Sequence, residues 1–416
     1  MKILIKNIKQ LAGIEEKPQL KLAGVQMKNL GCIENAWLAL EDDKIAGFGR
    51  MDDWEGITDW TNLIIIDASD KIVLPCYCDS HTHLVYAGNR VGEFVDRING
   101  LSYEQIFERG GGILNSAQKL RDASEDELVE SALERLNEIM LQGTGAVEIK
   151  SGYGLSTESE LKMLRVIQKL KTLSPLTIKA TFLGAHAVPR ELQGDKRKYI
   201  DLLINEMMPK IAAEKLADYC DVFCEQNYFT KEETIEILTA GKKHGMTPKV
   251  HAEQLSNFGG VLAGVEAGAI SVDHLEFVEA KEIEALKNSK TMPTILPGAA
   301  FFLNLPFPPA RQMIDAGLPV AMASDYNPGS SPSGNMSFLL SLCCVQYKMT
   351  PEEAINAATI NSAYAMDLSA THGSIAIGKQ ANVFITKEIP GYSFIPYSFG
   401  SNLVETVIIG GKVVNK

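Results

Sequence analysis

The middle of the chain alternates apolar, β-branched segments with polar segments of helical length, and this alternation restricts the fold more than any other feature. Most of the apolar segments are separated by amphipathic stretches such as "SEDELVESALERLNEIMLQG". Eight strands interleaved with helices predict an α/β protein built on a (β/α)8 TIM-like barrel. The eight candidate strands are residues 71–78, 145–150, 177–185, 219–225, 248–253, 269–275, 291–297 and 319–325.

An open, doubly wound parallel sheet is the alternative fold for the same alternation. No GxGxxG motif follows the first strand, so nothing favours a dinucleotide-binding fold. The glycine-rich segment at residues 109–113 lies in the long loop after the first strand. We interpret it as a flexible lid or turn segment and not as a phosphate-binding loop.

Short strands joined by glycine and proline turns make up both ends of the chain. Residues 1–68 contain "KILIKNI" and "TNLIIIDA", and residues 370–416 contain "LVETVIIGGKVV". These two segments are predicted to pair into one small β-sandwich domain beside a barrel at residues 69–369. A chain of 416 residues is long enough for both domains.

Composition restricts the class of partner. The net charge of -12 argues against nucleic-acid binding, because phosphates would be repelled, and an anionic substrate would need a local cation. No apolar run approaches the roughly 20 residues of a membrane span, and no signal-peptide pattern is present, so we expect a cytoplasmic protein without membrane partners. The seven cysteines are odd in number and lack a CxxC pair, which predicts no disulfide framework.

The histidines are concentrated where strands end. Five of the seven histidines follow or end a predicted strand. In a barrel, the C-terminal ends of all strands surround one opening, which is where such enzymes place their chemistry. The five are His81, His83, His186, His251 and His274.

The spacing of the first pair predicts a metal site. His81 and His83 point to the same face of a strand and lie roughly 6.5–7 Å apart along it, so both imidazoles can reach one ion at about 2.1 Å. Asp325 follows the apolar run "PVAMA", where a carboxylate is costly unless it is paired or coordinated. Capping of the next helix is the alternative role for Asp325. Neutral imidazoles and one carboxylate suit a hydrolytic metal site with a position left for water.

Five longer motifs carry a family resemblance over essentially the whole chain. They are "DSHTHLVYAGNR", "EIKSGYGL", "FLGAHAVP", "HAEQLSNFGG" and "SDYNPGSSP". With these motifs the sequence resembles the amidohydrolase superfamily and, more closely, the imidazolonepropionase family. The resemblance implies a metal-bearing barrel, a small β domain built from both termini, and one zinc or iron(III) ion per subunit, since three histidines and an aspartate suit either metal.

The resemblance also implies roles for individual residues. The metal ligands would be His81, His83, His251 and Asp325. His274 and Asp325 would be catalytic, handling the proton during hydrolysis. Substrate contacts would come from Arg90, Tyr153, His186, Gln254, Asn327, Gly329 and Ser330.

The implied reaction is hydrolysis of 4-imidazolone-5-propanoate to N-formimidoyl-L-glutamate in L-histidine degradation, which opens a cyclic amide at its C–N bond. Arg90 would anchor the propionate, because a guanidinium grips a carboxylate bidentately. Gln254 stands where some family members carry glutamate, and an amide cannot act as a general base. The other interpretations are a deaminase of guanine or cytosine type and a non-catalytic scaffold.

Several residues keep a simpler interpretation beside the functional one. Arg90 could be a surface residue, Tyr153 a packing residue and His186 a core histidine. Glu148 and Lys150 are interpreted as an ordinary ion pair at the barrel rim. The fourth strand ends without a lysine, which favours one metal, although Glu225 leaves a second ion open. A homodimer is expected, since dimers are the commonest assembly.

Overall fold

The computed structural model describes residues 1–15, 17–101, 105, 109 and 111–414, so Gly110 of the glycine-rich segment lies outside the described residues. The strands are β1 (Lys2–Ala12), β2 (Cys32–Glu41), β3 (Lys44–Arg50), β4 (Leu63–Asp67), β5 (Lys71–Pro75), β6 (Tyr77–Thr82), β7 (Thr144–Lys150), β8 (Thr177–Ala185), β9 (Tyr219–Cys224), β10 (Thr247–Ala252), β11 (Ser271–His274), β12 (Met292–Ile295), β13 (Ala321–Met322), β14 (Val383–Glu388), β15 (Val404–Ile409) and β16 (Lys412–Val414). The α-helices span Val91–Ile98, Ile113–Asp122, Glu125–Leu141, Thr157–Leu173, Lys196–Leu202, Met208–Glu214, Lys231–Lys243, Gly260–Ala267, Ala280–Lys287, Pro297–Leu303, Ala310–Asp315, Met336–Val345, Pro351–Asn356, Ser362–Ala365 and Phe394–Tyr397.

Strands β6 to β13 form one parallel sheet in chain order. A parallel bridge between Thr82 and Tyr326 joins the end of β6 to the segment after β13. Two hydrogen bonds accompany this bridge, from Asp325 N to His81 O (3.0 Å) and from His83 N to Tyr326 O (2.9 Å). Because the first and last strands meet, the sheet is the predicted (β/α)8 barrel and not an open, doubly wound sheet.

The strand predicted at residues 71–78 is wrong as a single element. Its first part is β5, which belongs to the sheet of the chain ends, and its last part begins β6 of the barrel. The change falls at Cys76, whose N–H donates to Asn382 O (3.0 Å), whereas Tyr77 N already donates to Gly143 O (2.9 Å). The apolar run at residues 71–78 is unbroken, so the sequence gives no signal that the chain passes from one sheet to the other within it. The division at residues 68/69 and 369/370 stays a prediction.

The terminal strands form a second, mixed sheet in the order β16-β15-β14-β5-β1-β2-β3, with β4 also paired to β1. Strand β5 holds the two chain ends together, because it pairs in parallel with β1 and antiparallel with β14. Apolar side chains from both halves of this sheet, such as Leu38 of β2 and Ile408 of β15, share one buried core. The predicted pairing of the N- and C-terminal segments is therefore confirmed.

The helices around the barrel begin and pack as their sequences predict. Helix Glu125–Leu141 begins at a capping box, in which Ser124 Oγ accepts from Glu127 N (3.2 Å) and Glu127 Oε2 accepts from Ser124 N (2.8 Å). Such a cap contributes about 1 kcal/mol. Leu128 and Leu136, eight residues apart on one helical face, are buried. None of the described helices has the length and apolarity needed to cross a bilayer.

The interior of the barrel contains charged side chains. On β7, Val147 and Ile149 pack in the large hydrophobic core, whereas Glu148 and Lys150 alternate with them and form an ion pair of 2.6 Å. Both charged residues are completely buried. Their predicted position at the barrel rim is therefore wrong, because their face of β7 is the one that the closed barrel turns inwards. All seven cysteines have free thiols in the structure.

His372 supplies a test of stability against pH. It is buried beside the start of β8, with Nε2 3.0 Å from Thr177 Oγ1. Burial, reinforced by Lys44 and Lys379, lowers the pKa of His372 from 6.5 to about 4. Between these two values the unfolded chain binds a proton that the folded chain does not, so stability falls as the pH decreases from about 6.5 to about 4.

We expect the wild-type chain to lose about 2 kcal/mol of stability relative to His372→Gln between pH 7 and pH 5. Urea unfolding of both proteins at each pH measures this difference. A difference between the two proteins that does not change with pH would contradict the prediction.

Candidate active site

A cavity of about 410 Å³ opens where the barrel strands end. It brings together all seven residues predicted to contact a substrate, although these come from five separate stretches of the chain. They are Arg90, Tyr153, His186, Gln254, Asn327, Gly329 and Ser330. The same wall contains four of the residues predicted to bind metal or to be catalytic, namely His83, His251, His274 and Asp325.

His81, His83 and Asp325 form the first cluster. His81 and His83 lie on the same side of the extended chain at the end of β6, and both are buried. Asp325 Oδ1 lies 3.6 Å from His81 Nε2 and 3.4 Å from His83 Nε2. Since one ligand atom from each residue lies within 4.8 Å of the others, the three side chains could share one ion.

His81 also belongs to a second cluster with His251 of β10 and His274 of β11. One ring nitrogen of each of these three residues lies within 4.8 Å of the others. The ring centroids of His81 and His251 are 4.4 Å apart, and those of His83 and His251 are 5.6 Å apart. The four predicted metal ligands are therefore adjacent, with His81 common to both clusters.

Two buried carboxylates contact the Nδ1 atoms of His81 and His251. Asp273 Oδ2 lies 2.7 Å from His81 Nδ1, and Asp221 Oδ2 lies 3.0 Å from His251 Nδ1. Asp221 Oδ1 also accepts a hydrogen bond from the backbone N of His251 (3.2 Å). A carboxylate at Nδ1 fixes the ring orientation and makes Nε2 the better metal ligand.

The free nitrogens of this cluster fit a metal ion. The Nε2 atoms of His81 and His251 are buried and have no hydrogen-bond partner among the described residues. Burial holds the pKa of His81 well below 6.5 and, against the opposing effect of Asp221, lowers the pKa of His251 to about 4. Both rings are thus neutral near pH 7, which is the form that binds a metal.

Asp325 completes the donor set with a negative charge. Burial opposes its ionisation, but the hydrogen bond from His83 and the neighbouring histidines outweigh burial and lower the pKa of Asp325. Its Oδ2 accepts a hydrogen bond from Ser330 Oγ (3.0 Å). Asp325 and His274 both have a positive φ, 53° and 91°, which is a strained conformation for residues with a side chain. Such strain persists where surrounding structure enforces it, typically at functional sites.

His274 has a buried carboxylate behind it. Its Nδ1 lies 3.8 Å from Glu276 Oε1, and neither oxygen of Glu276 has a hydrogen-bond partner among the described residues. Burial disfavours the charged imidazole, but Glu276, together with Asp325 and Asp273, outweighs burial and raises the pKa of His274. His274 is therefore the histidine of this cluster that is best placed to hold a proton.

Arg90 and Arg97 supply positive charge to the wall of the same cavity. Arg90 Nε donates to Ser116 Oγ (2.9 Å), and its guanidinium lies so close to Gly329 that a side chain there would collide with it. Arg97 lies two helical turns further on, where its Nη2 donates to Gly329 O (3.1 Å) and its guanidinium stacks over Phe302. Both arginines line the cavity, so Arg90 is not an ordinary surface residue.

Asn327 organises the loop that contains Gly329 and Ser330. Its Oδ1 accepts from Gly329 N and Ser330 N, both at 2.8 Å. Its Nδ2 donates to Asp325 O (2.6 Å) and Ser330 Oγ (2.7 Å). Asn327 thus lines the cavity while its amide binds within the loop, and this loop holds the Asp325 carboxylate in place.

Tyr153 projects from a loop that Glu160 holds. The carboxylate of Glu160 accepts from the backbone N–H groups of Gly152 (3.0 Å), Gly154 (2.7 Å) and Leu155 (2.9 Å). The ring of Tyr153 lies 5.7 Å from that of His83, between centroids. Burial raises the pKa of Tyr153, so the phenol remains protonated and can donate a hydrogen bond.

The sequence left open whether His186 is a core histidine and whether Glu225 could bind a second ion. His186 stacks on His83 with ring centroids 5.4 Å apart and lines the cavity, as a site residue would. Glu225 instead binds its own loop and the loop after β10, because it accepts from the N–H groups of Gln226 (2.8 Å) and Leu255 (2.8 Å) and from Ser256 Oγ. Its oxygens are thus engaged, which disfavours a second ion there.

Sequence reasoning missed five residues of this site. Asp221 and Asp273 are charged residues inside apolar strand segments, and this pattern could have indicated them. Arg97 follows Arg90 by seven residues, which places both on one face of a helix. Glu160 carried no local signal, because its role depends on a loop that folds back on it. Glu276 stands two residues after His274, and this spacing could have indicated it.

A family model described as Amidohydrolase family matches residues 90–415, which is most of the chain. The structure is similar to that of atrazine chlorohydrolase from Arthrobacter aurescens complexed with zinc, with a TM-score of 0.71, 13% sequence identity, and coverage of 100% of this chain and 95% of that one. This structural likeness is one of fold. The chain belongs to the amidohydrolase family.

Two curated relatives place the chain more narrowly. The imidazolonepropionase of Christiangramia forsetii is 57% identical over 415 residues, covering 100% of both chains. The imidazolonepropionase of Clostridium tetani is 44% identical over 417 residues, covering 100% of this chain and 98% of the relative. Within the amidohydrolases, the chain therefore groups with the imidazolonepropionases. The family and the His/Asp cluster together indicate a metal cofactor.

The loop of Tyr153 gives a test of the site's construction. Glu160→Gln replaces an accepting oxygen by an amide that faces backbone N–H donors. We expect it to destabilise the protein by about 1–3 kcal/mol, because buried donors are left unpaired. Glu158→Gln, an exposed position on the same helix turn, should change stability by less than about 0.5 kcal/mol. Urea unfolding measures both variants, and equal effects would contradict the assigned role of Glu160.

Proposed function

We propose that the chain hydrolyses 4-imidazolone-5-propanoate to N-formimidoyl-L-glutamate, a step of L-histidine degradation, by opening the cyclic amide at its C–N bond. The observation that carries this proposal is the presence of Arg90 and the His/Asp cluster in one cavity. A small ring with a carboxylate tail matches a cavity that contains both a guanidinium group and a His/Asp cluster able to hold a metal ion. The similarity to imidazolonepropionases supports this substrate over those of guanine- or cytosine-type deaminases.

His81, His83, His251 and Asp325 would hold one zinc or iron(III) ion. Three nitrogen donors and one carboxylate suit either metal. Such an ion polarises a carbonyl group and lowers the pKa of water, which makes hydrolysis feasible at neutral pH. Asp273 and Asp221 would keep His81 and His251 oriented for this ligation.

Arg90 would bind the propionate group. A protein with a net charge of -12 repels anions, so an anionic substrate needs a dedicated cation in the site. Tyr153 also lines the cavity and interacts electrostatically with both Arg90 and Asp325, which supports a role in orienting the substrate. We infer that Tyr153, His186 and the other lining residues orient the ring with its carbonyl towards the cluster.

His274 and Asp325 would move the proton. In the reaction, the oxygen of water bonds to the ring carbonyl carbon, the ring C–N bond breaks, and one proton reaches the departing nitrogen. His274, supported by Glu276, lies in the cavity wall and would deliver this proton. Asp325 would accept a proton from water. Gln254 lines the cavity but would act only through hydrogen bonds, because an amide does not titrate in this range.

The partner of the site is thus a small anionic molecule. We further propose a cytoplasmic homodimer that binds neither nucleic acid nor membrane. The dimer rests on the frequency of two-fold assemblies and would be checked by sedimentation. The exclusion of nucleic acid rests on the acidic net charge.

Turnover with and without metal tests the proposed reaction. Freshly prepared imidazolone propionate is incubated with the protein, and the loss of its ultraviolet absorbance is followed. We expect hydrolysis by the metal-loaded protein, at least 100-fold less after treatment with a chelator, and recovery when zinc or iron is returned. If the metal-loaded protein leaves the absorbance unchanged but releases ammonia from guanine or cytosine, the deaminase interpretation replaces ours.

Arg90 tests the substrate class. Loss of a charge-assisted contact costs about 1.5–3 kcal/mol, so Arg90→Met should lower kcat/KM roughly 10- to 100-fold, mainly through KM. Arg165, which forms an exposed ion pair with Glu214, gives the matched control Arg165→Met, for which we expect wild-type kinetics. Steady-state kinetics on the imidazolone substrate measures both variants. Unchanged kinetics in Arg90→Met would refute the anchoring role.

A further inference from the structure

Five fully buried charged residues lie inside the barrel and are joined to the histidines of the active site; we call them the interior charge cluster. Their side chains project from four strands of the barrel, β7, β9, β10 and β11, and each residue is at most 1% exposed. The members are Glu148, Lys150, Asp221, Lys249 and Asp273.

The two lysines link the three carboxylates. Lys150 Nζ donates to Glu148 Oε1 (2.6 Å) and Asp221 Oδ2 (2.9 Å), and lies 3.9 Å from Asp273 Oδ2. Lys249 Nζ donates to Glu148 Oε2 and lies 4.0 Å from Asp273 Oδ2. Each lysine therefore interacts with Glu148 and with at least one of the two aspartates.

The cluster ends on two imidazoles. Asp273 contacts His81 Nδ1 through the same oxygen that faces both lysines. Asp221 likewise faces Lys150 and His251 Nδ1 through one oxygen, Oδ2. Two series of contacts thus connect an ammonium group, a carboxylate and a histidine: one passes through Asp273 to His81, and the other passes through Asp221 to His251. In both cases the Nε2 atom is left without a hydrogen-bond partner among the described residues.

Core filling alone does not account for these residues. The interior of such a barrel is ordinarily filled by layers of Val, Ile and Leu. Replacing buried ion pairs by apolar residues of similar volume is often neutral or stabilising, because burying charges is costly. Five buried charges therefore need a further explanation, and their contacts with His81 and His251 provide one.

We propose that Lys150 and Lys249 are positioning residues of the metal site. By pairing with Asp221 and Asp273, they fix the two carboxylates that orient His81 and His251 towards a common ion. Without a lysine, three carboxylates share the remaining cation, and their mutual repulsion moves the aspartates away from the imidazoles. This inference rests on the metal site of the proposed function.

The test compares buried lysines in two places. Lys150→Met removes the ammonium group of the cluster and keeps an apolar side chain of similar length. Lys379→Met is the matched control, because Lys379 is also buried and donates to Glu15 Oε2 (2.7 Å) and Ser374 Oγ (2.7 Å), between the chain ends. Both full-length variants are stripped of metal, and their zinc affinity is measured by competition with a chromophoric chelator, together with Tm.

We expect Lys150→Met to bind zinc about 10- to 100-fold more weakly than the wild type, as is usual when support of a metal ligand is lost. Lys379→Met should bind zinc within twofold of the wild type, even if its Tm falls by as much as that of Lys150→Met. The visible absorption spectrum of the cobalt-substituted proteins gives a second readout, in which the ligand field changes for Lys150→Met alone. A general loss of stability would not separate the two variants in this way.

Isosteric variants keep the test decisive if Lys150→Met does not fold. Asp221→Asn and Asp273→Asn remove the charge that faces each imidazole at almost constant volume, and each should weaken zinc binding at least tenfold. In the double variant Lys150→Met/Asp221→Asn, the two losses should be less than multiplicative, because both act on His251.

The outcomes separate this inference from the function on which it rests. Zinc affinity within twofold of the wild type in Lys150→Met, or in both asparagine variants if the lysine variant does not fold, would overturn the positioning role and leave the proposed hydrolase intact. If the wild-type chain itself binds neither zinc nor iron, the proposed function and the inference fail together.

Discussion

The contact between the first and last barrel strands is the constraint on which the site depends. Two backbone hydrogen bonds, Asp325 N to His81 O and His83 N to Tyr326 O, close the barrel between residues more than 240 positions apart. The same bonds bring Asp325 to within 3.6 Å of His81 Nε2 and His83 Nε2. The contact that closes the barrel therefore also places Asp325 beside His81 and His83, and the His/Asp cluster depends on it.

The interior of this barrel contains charged side chains, whereas the interior of such barrels is ordinarily apolar. At the ends of the strands, the cavity is formed by loops that are fixed by hydrogen bonds from single side chains. Glu160 fixes the loop of Tyr153, and Asn327 fixes the loop of Gly329, against which Arg90 lies. The proposed metal position thus has support from two directions. Asp221 and Asp273 act on imidazole nitrogens from inside the barrel, whereas Ser330 acts on Asp325 from the loop.

Predictions from the sequence succeeded where the signal is local and failed where it is not. The strand-end histidines were found because strand polarity alone places them at one opening. Arg90 was found through the motif "DSHTHLVYAGNR" of the family resemblance. The single strand at 71–78 was wrong because hydrophobicity does not record which sheet a strand joins. The rim position of Glu148 and Lys150 was wrong for a related reason: their alternation with Val147 and Ile149 sets only two faces, and the closed barrel decides which face is interior.

The sequence by itself determined the barrel, the His81–His83 pair and the family, because periodicity and motif spacing are properties of short segments. The tertiary structure alone decided the partners of those residues. Lys150 meets Asp221 across 71 positions, and His81 meets Asp273 across 192. Such pairs depend on strand register and barrel closure, which no local pattern encodes. The sequence therefore indicated which side chains carry the chemistry, and only the folded barrel showed which charges hold them in place.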